Sequence, residues 1–143
     1  MEQELTIRQF ELADTDSVIK LWKKSFPTDP PWNDPQAIIT RKYSYQSELF
    51  LVGELQNKVI ATVLGGYDGF RGWVYHLAVI DDNRRRGIGK KMMFAIEQKL
   101  RQLGCIKMNI QVRSSNQDVI LFYNEIGFEI EDHVSLGKLL QET

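Results

Sequence analysis

The chain has 143 residues, of which 43% are hydrophobic and 26% are charged, and its formal net charge at pH 7 is −1. This composition predicts one globular domain over residues 1–143 and excludes a disordered or fibrous protein. The near-neutral charge argues against a dedicated nucleic-acid-binding protein, because such proteins carry a larger basic excess.

The cysteine content and the hydropathy pattern bear on the compartment and on metal binding. Cys105 is the only cysteine, so no disulfide forms within the chain, which fits a reducing compartment. Two histidines and one cysteine, far apart in sequence, are a poor basis for a metal site. No apolar run is long enough to span a bilayer, and the first ten residues are charged and unlike a secretory signal. We therefore expect a cytoplasmic protein with no metal and no membrane partner.

The first third of the chain predicts one strand and two helices. Leu5, Ile7 and Phe10 indicate a short first strand. Residues 14–26 are typical of a helix, with apolar side chains at helical spacing. These side chains belong to Val18, Leu21, Trp22 and Phe26. Four prolines follow in the segment FPTDPPWNDP, which predicts a loop, and a second helix is expected after Asp34.

The middle of the chain predicts three strands. Residues 49–55 and 58–66 flank the dipeptide Gln56-Asn57, which indicates two antiparallel strands joined by a tight hairpin. Residues 73–80, WVYHLAVI, are rich in aromatic and β-branched side chains and do not alternate with polar ones. This pattern predicts a central strand that is covered on both faces.

The second half predicts a strand–helix–strand unit followed by another helix. Apolar residues recur on one face of the first helix, namely Ile88, Met92, Ile96, Leu100 and Leu103. Gly104 stands where a C-terminal cap belongs, and residues 106–112 indicate a strand. Asn116 is expected to begin a helix that Gly127 ends, with a last strand or strand pair after Phe128.

The segment NRRRGIGKK, residues 83–91, places five positive side chains beside two glycines. A glycine turn between a strand and a helix leaves backbone N–H groups unpaired at the helix start, where they favour an anion such as a phosphate. The dinucleotide-binding fingerprint fails because Met92 stands where its third glycine belongs. The P-loop fails because Arg84 replaces its first glycine and Lys91 replaces its Ser or Thr.

The remaining pattern, Arg84-x-x-Gly87-x-Gly89, resembles the acetyl-CoA loop of the GCN5-related N-acetyltransferases. Residues 116–129, NQDVILFYNEIGFE, resemble the second motif of that family, in which an Asn begins a helix that carries a Tyr and precedes Gly-Phe. The resemblance covers roughly residues 3–140 and implies the acyl-CoA N-acyltransferase fold. In that α/β (α+β) fold, a central mixed, mostly antiparallel sheet is flanked by about four helices. The segments PWNDP, GGYDGFRG and SLGK are similar to a small bacterial branch, the YpeA-like acetyltransferases.

The resemblance implies how acetyl-CoA, the co-substrate, would bind. Backbone amides from Arg85 to Lys90 would surround the pyrophosphate, and the arginines would supply positive charge. Edge backbone groups of Leu77 and Val79 would pair with the pantetheine arm as an added strand does. The residues expected to contact CoA are Leu77, Ala78, Val79, Arg84, Arg85, Arg86, Gly87, Ile88, Gly89, Lys90, Asn116, Phe122 and Tyr123.

The implied reaction is direct transfer of an acetyl group to a primary amine. Tyr123 matches the family's tyrosine, which would donate a hydrogen bond or a proton to the leaving thiolate. Some members carry a glutamate base on the strand of residues 73–79, but here the aligned position holds Trp73. His76 and Asp68 are therefore the candidate bases. Cys105 is rejected as an acetyl-carrying nucleophile, because direct transfer is the family's usual route.

The resemblance also predicts an acceptor pocket near the first helices and the loops beside the strands. Its candidate residues are Trp22, Phe26, Trp32, Asp34, Tyr67 and Asp68. Aromatic rings and carboxylates suit a cationic amine. Two other interpretations stay open, namely a catalytically silent CoA-binding or regulatory module and a nucleic-acid-binding patch at NRRRGIGKK. The commonness of twofold homodimers favours a homodimer.

Overall fold

A computed structural model describes residues 4–80 and 87–141 of the chain. Within these ranges, five strands form one sheet whose order follows the chain: β1 (Thr6–Gln9), β2 (Phe50–Leu55), β3 (Lys58–Tyr67), β4 (Gly72–Val79) and β5 (Met108–Ile110). The helices of the same ranges are α1 (Thr15–Ser25), α2 (Pro35–Tyr43), α3 (Ile88–Gln102) and α4 (Gln117–Glu125). Neighbouring strands are antiparallel except β4 and β5, which are parallel and joined through α3. The predicted mixed, mostly antiparallel fold is confirmed.

The chain divides into two compact units, residues 1–111 and residues 112–143. The first unit contains the whole sheet with α1, α2 and α3, and the second contains α4. None of the helices in the described part of the chain is long and apolar enough to cross a membrane.

The hairpin between β2 and β3 follows the sequence expectation. Gln56 and Asn57 have φ of 52° and 62°, the left-handed values that a two-residue type I′ turn requires. Asn adopts this conformation more readily than most residues, because its short amide side chain can bond locally. The turn therefore fixes the register in which β2 and β3 pair.

The two faces of the sheet are covered by different helices. A buried cluster on one face contains residues of α1, α2, β2, β3 and β4, with Phe10 stacked on Phe50 at a centroid distance of 4.2 Å. Its other members are Val18, Leu21, Trp22, Ile39, Val52, Leu64 and Ala78. On the opposite face, α3 packs so closely that no Cβ fits at Gly65 without contacting Ile96.

The long helix α3 is amphipathic as its periodicity predicts, except at its end. Ile88, Met92, Ile96 and Leu100 are buried. The prediction for Leu103 was wrong, because this side chain is 44% exposed at the C-cap, where the chain leaves the helix axis. The next residue, Gly104, has φ of 89°. Its N–H donates to the carbonyl of Arg101 and the N–H of Cys105 donates to that of Leu100, which is a Schellman motif.

The second unit shows the same kind of helix end. Gly127, with φ of 105°, donates its N–H to Asn124, and the N–H of Phe128 donates to the carbonyl of Tyr123. The predicted last strand after Phe128 was wrong, since no strand is assigned within residues 128–141. Strand formation needs a pairing partner elsewhere in the chain, and local propensity does not supply one.

Candidate active site

The site is organised by β4, which is a central strand only over its first three residues. Gly72–Val74 pair with Met108–Ile110 of β5, whereas the described part of the chain adds no strand to this edge beyond Val74. Tyr75 is 48% exposed, so the prediction of a strand covered on both faces was wrong. Parallel pairing with β5 stops after three residues, and β4 then presents an open edge.

The backbone groups of that open edge are those of Leu77 and Val79. The N–H of Ile80 donates to the carbonyl of Ile60 on β3, at 2.8 Å. Because successive residues of a strand direct their backbone groups to opposite sides, Val79 and Leu77 direct theirs away from β3. The expected pairing of these two residues with a pantetheine arm stays a prediction, and Ala78 between them is buried in the core.

A β-bulge interrupts the pairing of β3 and β4 at His76. Tyr75 pairs with Leu64 and Ala78 pairs with Thr62, so two residues of β4 lie opposite the single residue Val63. His76 takes up the irregularity with a left-handed φ of 51°. In a regular strand His76 would face the opposite side from Tyr75. The bulge interrupts this alternation, and the imidazole faces α1, the side on which Ala78 also packs.

The imidazole of His76 packs against two aromatic rings, one in α1 and one at the C-cap of that helix. The ring centroids of Trp22 and Phe26 are each 4.8 Å from that of His76, in edge-on geometry. Nε2 of His76 lies 3.7 Å from Oδ2 of Asp29. Burial lowers the pKa of His76 below its ordinary value, and the nearby Asp29 carboxylate counteracts this only in part. The imidazole is therefore neutral at neutral pH and can accept a proton.

A cavity of about 340 Å³ lies against His76. It is lined by His76, by Trp22, Lys23 and Phe26 from the end of α1, by Asp29, Asn33 and Asp34 from the loop, and by all four prolines of the chain. Its size lies in the range of small-molecule sites, which are mostly apolar with a few polar groups. The proline-rich loop therefore forms one wall of a cavity whose other wall carries a neutral base.

The structure brings together only some of the residues predicted for the acceptor pocket. Trp22, Phe26 and Asp34 line the cavity, and Oδ2 of Asp34 also accepts a hydrogen bond from the N–H of Ala37 at 3.1 Å, as the N-cap of α2. Trp32 is 52% exposed and is not part of the lining.

Two further predicted residues lie away from the cavity lining, in the segment that joins β3 and β4. They are Tyr67, which ends β3, and Asp68, which follows it. The carboxylate of Asp68 accepts hydrogen bonds from the N–H groups of Phe70 and Arg71, at 2.7 and 2.8 Å. Hydrogen bonds from Arg71 and Phe70 to the charged form lower the pKa of Asp68, which makes it a weak base. Its observed role is to close the hairpin.

Sequence reasoning did not identify Asp29. The signal was present, because Asp29 lies between two prolines only three residues after Phe26. What the sequence does not contain is the path of the loop, which brings the Asp29 carboxylate back over β4 to the imidazole.

Gly87 begins the helix expected to bind phosphate. It is the N-cap of α3 with φ of 73°, and its carbonyl accepts a hydrogen bond from the N–H of Lys91 at 3.1 Å. A Cβ at Gly87 would meet no atom of residues 4–80 or 89–141 within 4 Å. Ile88 is buried and fixes the first turn, whereas Gly89 is half-buried and Lys90 is exposed. Arg84, Arg85 and Arg86, which were expected to contact CoA, lie outside the described residues.

The second unit contains the predicted tyrosine. Tyr123 is buried, with its ring edge-on to those of Phe122 and Phe128 at 5.0 and 5.5 Å. Burial raises the pKa of Tyr123 to about 12, so its hydroxyl stays protonated at neutral pH. Asn116 is the N-cap of α4, and its carbonyl accepts a hydrogen bond from the N–H of Ile120 at 3.1 Å.

Comparison with known proteins identifies the family. Residues 15–128 match the model of the acetyltransferase (GNAT) family. The chain is 42% identical over 136 residues to an acetyltransferase of Yersinia enterocolitica, an alignment that covers 95% of this chain and 96% of the relative. Among solved structures, it is similar to Ard1 from Thermoplasma volcanium, with a TM-score of 0.80, 27% identity, and coverage of 89% and 84% of the two chains.

An aminoglycoside N-acetyltransferase, AAC(6')-Iy, solved in complex with CoA, has the same fold. Its TM-score is 0.79 at 16% identity, with coverage of 99% of this chain and 98% of that one. The family model spans most of the chain, and the Yersinia relative is similar over nearly its whole length. The chain therefore belongs to the GNAT family of acetyltransferases and is an N-acetyltransferase.

Proposed function

We propose that this N-acetyltransferase uses acetyl-CoA and transfers its acetyl group directly to a primary amine bound in the cavity beside His76. The observation that carries this proposal is the bulge in β4. At the bulge, a neutral imidazole that lines the cavity lies within three residues of the open edge of the same strand. An amine acceptor and an extended thioester substrate can then meet beside a proton acceptor.

The residues at the CoA side fit the chemistry of that co-substrate. The first-turn N–H groups of a helix have no partner within the helix, so those of α3 would suit a pyrophosphate, and Gly87 carries no Cβ that would obstruct the approach. The open-edge groups of Leu77 and Val79 suit the amide groups of a pantetheine arm. Positive charge for the phosphates would come from Arg84, Arg85 and Arg86, as the family motif implies.

Acetyl transfer requires that the amine first lose a proton. A free alkyl ammonium has a pKa of about 10.4, so a base must accept that proton at neutral pH. His76 would accept it at Nε2, and the Asp29 carboxylate, 3.7 Å away, would stabilise the imidazolium that forms. Asp29 and Asp34, together with the aromatic rings of the lining, favour an acceptor that arrives as a cation.

Tyr123 would stabilise the thiolate that leaves when the new C–N bond forms and the C–S bond breaks. This role rests on the family motif. A thiol has a pKa of about 8.5, whereas that of Tyr123 is raised to about 12. At 1.36 kcal/mol per unit, complete proton transfer from tyrosine to thiolate would be unfavourable by about 5 kcal/mol. We therefore assign Tyr123 as a hydrogen-bond donor to the sulfur, with solvent or the imidazolium of His76 supplying the proton.

The test is acetyl-CoA turnover with a panel of cationic and neutral primary amines, measured as release of the free CoA thiol. His76→Gln should lower the rate by about a hundredfold or more, the usual contribution of a general base. Asp68→Asn is the matched control and should retain the rate of the unsubstituted chain, because the Asp68 carboxylate accepts hydrogen bonds within the turn between β3 and β4. Full activity of His76→Gln would exclude His76 as the base. Absence of turnover with every amine, in a chain that binds acetyl-CoA, would favour the catalytically silent module.

A further inference from the structure

We propose that Thr62 is a positioning residue for His76, and that its hydroxyl, oriented by the indole of Trp22, keeps the bulge in the form that directs the imidazole into the cavity. This inference rests on the proposed function, in which His76 is the base. Thr62 itself does not line the cavity and would not touch either substrate.

Three groups form a chain of two hydrogen bonds, of which the first is buried and the second partly buried. Nε1 of Trp22 donates to Oγ1 of Thr62 at 2.8 Å, and Oγ1 of Thr62 donates to the backbone carbonyl of His76 at 3.0 Å. The side chain of Thr62 is fully buried in the middle of β3. Because the indole N–H can only donate, it must use the oxygen of Thr62 as its acceptor. The single proton of the hydroxyl is then directed to His76.

The carbonyl of His76 needs such a donor because of the bulge. A bulge leaves its extra residue unpaired in the strand ladder, and a left-handed φ costs free energy for most residues that carry a side chain. A partly buried carbonyl without a hydrogen bond would add a further cost. The Thr62 hydroxyl satisfies this carbonyl from within the sheet, so it stabilises the bulged form of β4 over a regular one.

The direction of the imidazole follows from the form of the strand. The left-handed φ of His76 and the hydrogen bond to its carbonyl together fix the local backbone from which the imidazole projects toward Asp29 and the cavity. Among the described residues, the titratable or charged side chains that line the cavity with His76 are those of Lys23, Asp29 and Asp34, and Tyr75 precedes His76 in β4. In the observed bulged form, Nε2 of His76 lies 3.7 Å from Oδ2 of Asp29.

The test compares two substitutions of Thr62 that differ by a hydroxyl. Thr62→Val has nearly the same shape and removes both hydrogen bonds, whereas Thr62→Ser keeps them. The readout is the NMR titration of the histidine side chains, which is simple because the chain has only His76 and His133. His133→Gln assigns the signals. Turnover of acetyl-CoA with the amine panel is measured in parallel, and circular dichroism checks that each variant is folded.

We expect Thr62→Ser to titrate and turn over as the unsubstituted chain does. In Thr62→Val, the pKa of His76 should rise toward the ordinary value of histidine, because the ring leaves its buried position. Its turnover should fall about tenfold to a hundredfold, the effect of a reacting group displaced by about 1 Å. Should Thr62→Val not fold, Thr62→Ala removes the hydroxyl without placing an extra methyl group beside the indole, and should shift the titration in the same direction.

An unchanged titration and unchanged turnover of a folded Thr62→Val, or of Thr62→Ala in its place, would overturn the inference. A loss of turnover in Thr62→Ser equal to that in Thr62→Val would also overturn it, since packing and not the hydroxyl would then be responsible. Failure of the proposed function is distinguishable. If the unsubstituted chain acetylates no amine, the titration of His76 still shows whether Thr62 positions the ring.

Discussion

The contact between α3 and the sheet predicts that Gly65→Ala destabilises the chain. A Cβ at Gly65 would lie 2.8 Å from Cδ1 and 2.9 Å from Cγ1 of Ile96, whereas carbon atoms pack at about 3.5–4.0 Å. Ile96 is fully buried, so its side chain has no free space to move into. Overpacking of this kind costs about 1–3 kcal/mol of the free energy of unfolding.

The neighbouring Gly66 supplies a matched control in the same strand. A Cβ there would meet its nearest atoms at 3.9 Å, which is ordinary van der Waals contact. Gly66→Ala should therefore change the free energy of unfolding by no more than about 0.5 kcal/mol, the usual range of a substitution that disturbs no packing. Gly65→Ala, by contrast, should lower the midpoint of thermal unfolding by roughly 2–4 °C per kcal/mol lost.

The assay is urea unfolding of both variants and of Gly65→Ala combined with Ile96→Val. Removing Cδ1 of Ile96 deletes one of the two close contacts, so the combined variant should be less destabilised than the sum of the single variants predicts. The reasoning is refuted if Gly65→Ala and Gly66→Ala unfold at the same urea concentration. It is also refuted if the two effects in the combined chain simply add.

Three further outcomes follow from the site and from an ion pair of β1. Asp29→Asn should lower the pKa of His76 further, so the acidic limb of a pH–rate profile should move to lower pH, and a move to higher pH would exclude the pair. Arg8 binds both carboxylate oxygens of Asp14, at 2.8 and 3.0 Å, and lowers the pKa of Asp14. The ion pair stabilises the folded chain above the unfolded pKa of Asp14, about 3.9, and this stabilisation is lost as the pH falls through the lower folded pKa of Asp14. In Arg8→Met, the free energy of unfolding should therefore fall less over this pH range. Tyr123→Phe should lower kcat about tenfold to a hundredfold, the worth of a hydrogen bond to a charged group, and leave the KM for acetyl-CoA nearly unchanged; an unchanged kcat would remove its role.

The parts of the fold that local signals determine could be predicted from the sequence. The helix of residues 88–102 follows from the spacing of its apolar residues, and Gly104 and Gly127 end their helices in the Schellman geometry that glycine favours. The hairpin at Gln56-Asn57 needed only its two turn residues. In each case the determinant lies within a few residues of the feature that it produces.

The parts that depend on distant pairing could not be predicted. The bulge at His76 arises from the register of β4 against β3, and nothing in WVYHLAVI marks it. The early end of the β4–β5 pairing likewise depends on where β5 begins after α3. The sequence suggested aromatic and acidic acceptor residues by type, but the path of the proline loop decides that Asp29 lies beside the cavity. Asp68 instead accepts hydrogen bonds from Phe70 and Arg71 in the turn between β3 and β4.

The most direct test of the proposed function is calorimetric titration of the chain with acetyl-CoA, alongside Gly87→Trp and Gly104→Trp. Both glycines have positive φ and stand at opposite ends of α3, and a Cβ at either would meet no atom of the described residues beyond its chain neighbours within 4 Å, so the two substitutions impose a similar backbone strain. Only Gly87 stands where the pyrophosphate is proposed to approach the helix. We predict that the unsubstituted chain and Gly104→Trp bind acetyl-CoA and that Gly87→Trp loses most of its affinity. Equal affinities for all three would contradict binding at the start of α3, and absence of binding by the folded unsubstituted chain would contradict the use of acetyl-CoA itself.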